Sequence, residues 1–330
     1  MEYSRILIRA TNWVGDAVMS LPALRAIRER FPLAHIAILA KPWVADLYTR
    51  EKLADEVIPY TAASLMEKWR VAKDLRGRRF DCAILLQNAF EAALLAWVAR
   101  IPHRIGYARD GRGPLLTRSV AVPKPGEIPP HQRFYYLELL RRAGIIDRLP
   151  DALPSIGGVR IQATPIIGVS PGAAYGKAKR WLPDRFAEAA TRLAHERGAA
   201  IALFGSKSER ALCEEVASLV AGISVTNYAG QTSLAEFMDM ASRCELFLTN
   251  DSGAMHIASA LGIPTVAVFG ATDDIATGPT GGNSRVVREA VECSPCLLRE
   301  CPIDHRCMTR VSAGRVVQES LDLLANQSRS

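Results

Sequence analysis

Residues 246–270 read LFLTNDSGAMHIASALGIPTVAVFG. The apolar run 246–249 has the character of a buried strand. It breaks into the polar loop Asn250-Asp251-Ser252-Gly253, and a helical segment follows from about 254 to 261. Gly262 and Pro264 stop that segment, and a second buried strand occupies 265–269. The order is one βαβ unit, with its polar loop at the C-terminal end of the first strand, where open α/β sheets place ligands. Asp251 and Ser252 both have helix-capping chemistry, and the free N–H groups at the helix start suit anionic oxygens. Such a loop fits a sugar or phosphate ligand better than an apolar one.

The same alternation extends in both directions. Strands are predicted at 166–169, 200–204 and near 223–226, with helices over 183–197, 207–220, 233–242 and about 312–325. In the first half, strands are predicted at 5–9, 35–39 and 81–86. Helices are predicted over 16–30, 43–53, 64–77, 88–99 and 131–144. Residues 102–130, rich in Gly, Pro and Arg, read as a long functional loop. Residues 148–165 carry Pro150, Pro154, Gly157, Gly158 and Pro165 and read as a linker. The fold class expected is α/β: two doubly wound domains, 1–155 and 156–330, facing across a cleft that suits a ligand. A length of 330 residues fits two domains of about 150 each.

No apolar run reaches the ~18 residues of a membrane span. The longest, 89–98, is short and contains Glu91. The opening MEYSRILIRA leads straight into a strand without a signal-peptide layout, so a cytoplasmic location is expected. The net charge of +7 is uneven. Residues 1–160 hold 25 Lys/Arg against 16 Asp/Glu, a balance of +9, and the remainder hold 16 against 18, a balance of −2. That excess is either ordinary solvated charge or a footing for an anionic partner such as a phosphorylated lipid or membrane surface. The basic residues are scattered and form no recognised nucleic-acid motif, so no nucleic-acid partner is expected.

Three of the seven cysteines, Cys82, Cys213 and Cys244, lie in or beside apolar runs and read as core residues. The other four form the pattern C-x2-C-x4-C-x5-C at Cys293, Cys296, Cys301 and Cys307, with His305 inside it. Four thiolates so spaced suit a structural zinc site first and an iron–sulfur cluster second, or else free thiols or a redox-dependent disulfide.

Three loops carry the remaining chemistry. In Thr11-Asn12-Trp13-Val14-Gly15-Asp16, Gly15 permits close approach of the backbone to a ligand. Asp16 suits either a first-turn acid or a general base. The loop 170–181, SPGAAYGKAKRW, sets glycines and Ser170 before three cations. It reads as an ordinary basic loop or as a diphosphate cradle in which Ser170 and Gly172 approach the oxygens and Lys179 neutralises leaving charge. It lacks Walker spacing, and the first loop lacks G-x-G-x-x-G, so neither ATP hydrolysis nor a dinucleotide cofactor is indicated. In the third loop Asp251 bonds sugar hydroxyls or caps the helix. His256 is a core histidine or a ligand contact. Glu209, in LFGSKSE, bonds a ribose or complements a helix dipole. Trp181 reads as packing.

Taken together, ILIRATNWVGDAVMSLPALRAIRERFP, IPHRIGYARDGRGPLLT, SPGAAYGKAKRWLPDRFAE, LFGSKSE and TNDSGAMHIASALGIPTVAVFG resemble the lipopolysaccharide heptosyltransferases of glycosyltransferase family 9. The resemblance spans residues 5 to 270 and implies a GT-B fold of two Rossmann-like domains. It implies an N-terminal domain holding a phosphorylated heptosyl-Kdo-lipid A inner-core acceptor and a C-terminal domain holding ADP-heptose, with the last helix returning to the first domain. The activity implied is inverting heptose transfer that requires no metal, in the cytoplasm with peripheral contact at the inner membrane. By position, Asp16 matches the catalytic carboxylate and Lys179 the cation at the departing phosphates. Ser170, Gly172, Glu209, Thr232, Asp251, Ser252, Gly253 and His256 fall at donor positions, Thr232 near the adenine. Asn12, Asn88, Arg104, Arg109 and Arg112 fall on the acceptor side. Types I, II and III of the family share this layout, and the WVGD and GKAKRW forms favour type II. Two other readings use the same loops: a sugar-nucleotide epimerase, which needs no acceptor, and a nucleotide-sugar binder, which has no use for a base at Asp16.

Overall fold

The structure, a computed structural model, describes residues 2–157 and 165–327; Gly158 of the expected linker lies outside them. The chain divides into two compact units, Met1–Pro154 and Ser155–Ser330.

The first unit runs β1 (Arg5–Arg9), α1 (Val14–Met19), α2 (Leu21–Arg30), β2 (His35–Ala40), α3 (Pro42–Glu51), β3 (Glu56–Pro59), α4 (Leu65–Gly77), β4 (Cys82–Leu85), α5 (Phe90–Val98), β5 (His103–Tyr107), β6 (Arg118–Val120) and α6 (Gln132–Arg142). Its six strands are parallel, in the order β3-β2-β1-β4-β5-β6. Central strands are apolar on both faces because helices cover both. Leu7, Leu39, Ala83 and Leu85 share a core with Ala72 and Leu75 of α4 and Ala93 and Ala96 of α5. The alternate residues Ile6, Ile8, Ile36 and Ile38 are equally buried and point to the opposite face.

The second unit runs β7 (Ile166–Ser170), α7 (Pro183–Arg197), β8 (Ala200–Leu203), α8 (Arg210–Leu219), β9 (Val225–Asn227), α9 (Leu234–Ala241), β10 (Leu246–Asn250), α10 (Gly253–Ala260), β11 (Thr265–Phe269), α11 (Asp274–Thr277), β12 (Ser284–Arg288), α12 (Arg306–Thr309) and α13 (Ala313–Gln327). Its parallel order is β12-β11-β10-β7-β8-β9. Ile167, Val169, Leu246, Leu248, Val266 and Val268 pack in one core with α7 and α13. The last helix, expected to return to the first domain, packs on α7, β11 and β12.

Two local readings are corrected. The helix expected over 16–30 is two helices, parted at Ser20. Pro22 stands in the first turn of α2, where its missing N–H costs nothing and its ring bars continuation from α1. The loop expected over 102–130 contains β5 and β6. Its arginines hid those strands because Arg104 turns back to donate to the carbonyls of Leu115 and Ile101 and so lies along the sheet. The quoted stretch is a βαβ unit as read, and a further edge strand, β12, follows it.

Glu138 of α6 is buried and held by Arg141 and Arg142 at 2.5–2.8 Å. The hydrogen bond from Arg141, followed by that from Arg142, keeps its carboxyl below the usual glutamate range. A depressed folded-state value gives stability that is complete above the unfolded pKa, near 4.3, and is lost as pH falls through the folded value. Glu138→Gln is therefore expected to cost about 1.5–3 kcal/mol at neutral pH. The deficit should shrink below pH 4, as urea melts at pH 7 and pH 3.5 will measure.

Candidate active site

Both sheets reverse their strand order once, and each reversal opens a crevice at the C-terminal ends of two adjacent strands. In the second unit the reversal lies between β7 and β10. Ser170 ends β7 and the loop after it carries Gly172 and Lys179; the loop after β10 carries Asp251 and Ser252, and Gly253 opens α10. The structure brings the two loops together. Lys179 Nζ lies 2.6 Å from Asp251 Oδ2, both largely buried. Thr272, just beyond β11, donates its hydroxyl to the same oxygen. Asn250 binds the two loops from beneath: its Nδ2 donates to the Pro171 carbonyl at 2.7 Å, and its Oδ1 accepts from the Trp181 N–H at 2.9 Å. The Lys179 ammonium also stands 4.7 Å from the centre of the Tyr175 ring.

The ambiguity at the helix start is resolved. Ser252, not Asp251, caps α10, accepting from the Met255 N–H and bonding Thr249 Oγ1 at 3.1 Å. Asp251 is left to hold Lys179. Gly172 is required by close approach: a Cβ there would lie 2.1 Å from Glu209 Oε1. Glu209 Oε2 accepts from the Ser206 N–H and hydroxyl at 2.8 Å, so the carboxylate caps its own helix with one oxygen and lies against Gly172 with the other. His256 is buried along α10, and Trp181 is a packing residue whose Nε1 donates to the Val311 carbonyl. Thr232 is half-buried just before α9.

In the first unit the reversal lies between β1 and β4. Asn12 and Asp16 follow β1, and Asn88 follows β4. Asp16 sits in the first turn of α1, and its Oδ1 accepts from the buried Tyr136 hydroxyl at 2.8 Å. Burial, and then the Asp16 charge, raise the Tyr136 pKa well above the ordinary tyrosine value, so Tyr136 remains a neutral donor. Asn12 Oδ1 accepts from Arg9 at 3.3 Å, and its carbonyl accepts from Trp43. Arg9 is buried at the end of β1, over the Tyr60 ring, and burial pushes its pKa down to about 10. Arg112 is fully buried and donates to the carbonyls of Tyr107 and Gln87 and to Asn88 Oδ1. It is a strut that orients Asn88. Arg109 is exposed.

The cysteine-rich segment packs on the second-unit crevice. The Arg299 carbonyl accepts from the Ala178 N–H at 3.0 Å and fills the space where a Gly176 Cβ would stand. His305 Nε2 donates to the Ala178 carbonyl at 2.9 Å, and the Leu297 carbonyl accepts from the Tyr175 hydroxyl at 2.7 Å. On the other side, the Leu297 N–H bonds the Ala271 carbonyl, and Ser294 bonds that of Gly270. The segment thus clasps the loop bearing Lys179 and the loop bearing Thr272. Burial, followed by the charges of Cys293, Cys296 and Cys301, raises the Cys307 thiol to about 11. Among the described residues no group of three or more His, Cys, Asp or Glu side chains is arranged to hold a metal ion. Sequence reasoning gave this segment only its thiols. Its bracing role runs through main-chain groups together with the His305 ring and the Ser294 hydroxyl, and Gly176 was the one signal of close approach.

The profile of glycosyltransferase family 9 (heptosyltransferase) matches residues 68–306. The chain is 33% identical to lipooligosaccharide heptosyltransferase 2 of Haemophilus ducreyi, covering 97% of this chain and 99% of that one. It is 32% identical to lipopolysaccharide heptosyltransferase 2 of Escherichia coli over 86% of this chain and 88% of that one. The solved structure of the E. coli ADP-heptose heptosyltransferase II superposes with a TM-score of 0.85 at 29% identity, covering 98% and 99% of the two chains.

Gly176→Ala forces a Cβ against the Arg299 carbonyl. It is expected to cost about 1–3 kcal/mol in urea melts. In hydrogen exchange the Ala178 amide should lose protection before the strands of the second sheet do.

Proposed function

The chain belongs to glycosyltransferase family 9, the heptosyltransferases, and from that membership we propose the reaction its residues perform. L-glycero-D-manno-heptose passes from ADP-heptose, with inversion, to a heptosyl-Kdo-lipid A inner core in lipopolysaccharide biosynthesis. The observation that carries the donor half is the Lys179–Asp251 pair at the β7/β10 reversal. Lys179 is the cation for the diphosphate. The N–H groups at the start of α10 and beside Gly172 take further oxygens. Asp251, anchored by Thr272, aims the ammonium and accepts from heptose hydroxyls. Glu209, beside Gly172, accepts from the ribose. The relatives above 30% identity carry the type 2 name, which favours transfer of the second heptose.

Asp16 is the proposed base. Its position at the β1/β4 reversal, its place in the first turn of α1 and the Tyr136 hydrogen bond support an oriented carboxylate. The acceptor hydroxyl gives its proton to Asp16 as its oxygen bonds the anomeric carbon. The bond from that carbon to the ADP oxygen breaks on the opposite face, and ADP leaves with its new charge met by Lys179. One displacement gives inversion, and no metal enters the step. Asn12, Asn88 and the exposed Arg109 are the acceptor contacts; Arg112 acts through Asn88.

Asp16→Asn is expected to lower kcat by about a hundredfold to ten-thousandfold while ADP binds with unchanged affinity in calorimetry. Wild-type turnover by this variant removes the base. Lys179→Ala is expected to weaken ADP binding about tenfold to a hundredfold, the worth of a charged hydrogen bond. Incubation with ADP-heptose and a defined inner-core acceptor, read by mass spectrometry, tests the reaction itself. Product one heptose heavier is expected, whereas isomerisation of the donor without acceptor marks an epimerase.

A further inference from the structure

Four of the five tryptophans are exposed, all in the first unit: Trp13, Trp43, Trp69 and Trp97. Trp69 of α4 and Trp97 of α5 are 56% and 52% exposed. The two helices pack on one another. Their inner residues Ala72, Leu75, Ala93 and Ala96 belong to the core under the sheet. Their outer residues are also apolar. On α5, Phe90, Leu94 and Trp97 fall at i, i+4 and i+7 and are all exposed; at the start of α4, Leu65, Met66 and Trp69 are exposed likewise. Helix α5, FEAALLAWV, is therefore apolar on its outer side as well as its inner one, Glu91 apart, although only the inner side is covered by protein. A water-facing helix has no need of this, and a contiguous exposed apolar face marks a contact.

The charge around this face is one-sided. A surface groove of about 620 Å³ is lined by Trp69, Trp97, Val98, Arg76, Arg100 and Arg104. Lys73 stands over the Trp69 ring. The carboxylates of the two helices are each engaged. Glu67 closes a capping box with Ser64, Asp74 bonds Arg78, and Glu91 bonds Lys68 at 2.6 Å. Among the described residues, Lys73, Arg76, Arg100 and Arg104 pair with no carboxylate. Indoles placed between apolar residues and unpaired guanidinium groups suit the boundary between acyl chains and phosphate headgroups.

We propose that the outer face of α4 and α5, with Trp69 and Trp97 at its centre and Arg76 and Arg100 at its rim, docks the enzyme on an anionic lipid bilayer. Phe90, Leu94 and the indoles enter the headgroup boundary, and the cations meet lipid phosphates. The inference rests on the preceding reading only for its purpose, since an inner-core acceptor is anchored in lipid; the binding itself requires neither donor nor acceptor.

Flotation of the full chain with phosphatidylglycerol-containing vesicles and with pure phosphatidylcholine vesicles tests it. Binding to the anionic vesicles, weakened by added salt, is expected. Trp69→Ser with Trp97→Ser should reduce it at least tenfold, and Arg76→Gln with Arg100→Gln by a similar factor. Both pairs should keep the wild-type melting temperature and wild-type turnover on a water-soluble, delipidated acceptor. Failure of the wild type to float, equal binding to neutral vesicles, or unchanged flotation of both variants overturns the proposal. So does a wild type that sediments as a dimer and becomes monomeric on Trp69→Ser/Trp97→Ser, which assigns the face to a second copy. Vesicle binding without transfer on any acceptor leaves the surface standing and removes the proposed reaction, so the two failures are distinct.

Discussion

Right-handed crossovers between parallel strands force each loop at the C-terminal edge to one face of the sheet or the other. Where the strand order turns back, two neighbouring loops leave in opposite directions and no side chain of the sheet fills the gap between them. This chain contains that geometry twice, at β1/β4 and at β7/β10. The polar residues singled out for chemistry gather at those two places. Asp16, Asn12 and Asn88 are at the first; Lys179, Asp251 and Gly172 are at the second. The rest of each unit, its buried strands and paired helices, fixes where those two gaps open.

The two gaps are furnished differently. The second is held by charge and main chain: a buried ion pair, an asparagine that ties both loops, and a clasp of carbonyl oxygens from the cysteine-rich segment. The first is held by buried cations. Arg9 and Arg112 donate chiefly to backbone carbonyls, so part of the +9 balance of the first half is structural. What remains for partners is the exposed share, including Arg109 and the cations around α4 and α5.

The central strands were legible because burial on both faces writes them as unbroken apolar runs, as in RILIR, HIAILA and LFLTN. The strands β3, β5, β6 and β12 were not, because edge and near-edge strands carry Glu56, Arg104, Arg118 and Arg285, whose stems lie on the sheet while their charges turn outward or to carbonyls. At the site, residue types pointed to the correct loops, yet which of Asp251 and Ser252 capped α10 depended on Lys179, 72 residues away. Tyr136 was illegible as the partner of Asp16 because 120 residues separate them. The cysteine spacing drew attention to thiols, whereas the contacts that brace the site come from the Arg299 and Leu297 main chain, the His305 ring and the Ser294 hydroxyl.

The clasp on the Lys179 loop also has a consequence in time. Ala178 and its partner His305 are 127 residues apart. A ribosome adding about 5–20 residues per second makes the first roughly 6–25 s before the second. Through that interval the nascent second unit has β7 and its glycine-rich loop but neither Asp251, at first, nor the segment that clasps it. The clasp itself cannot close until residue 305 has been made, so the Lys179 loop takes its last bracing only near the end of synthesis.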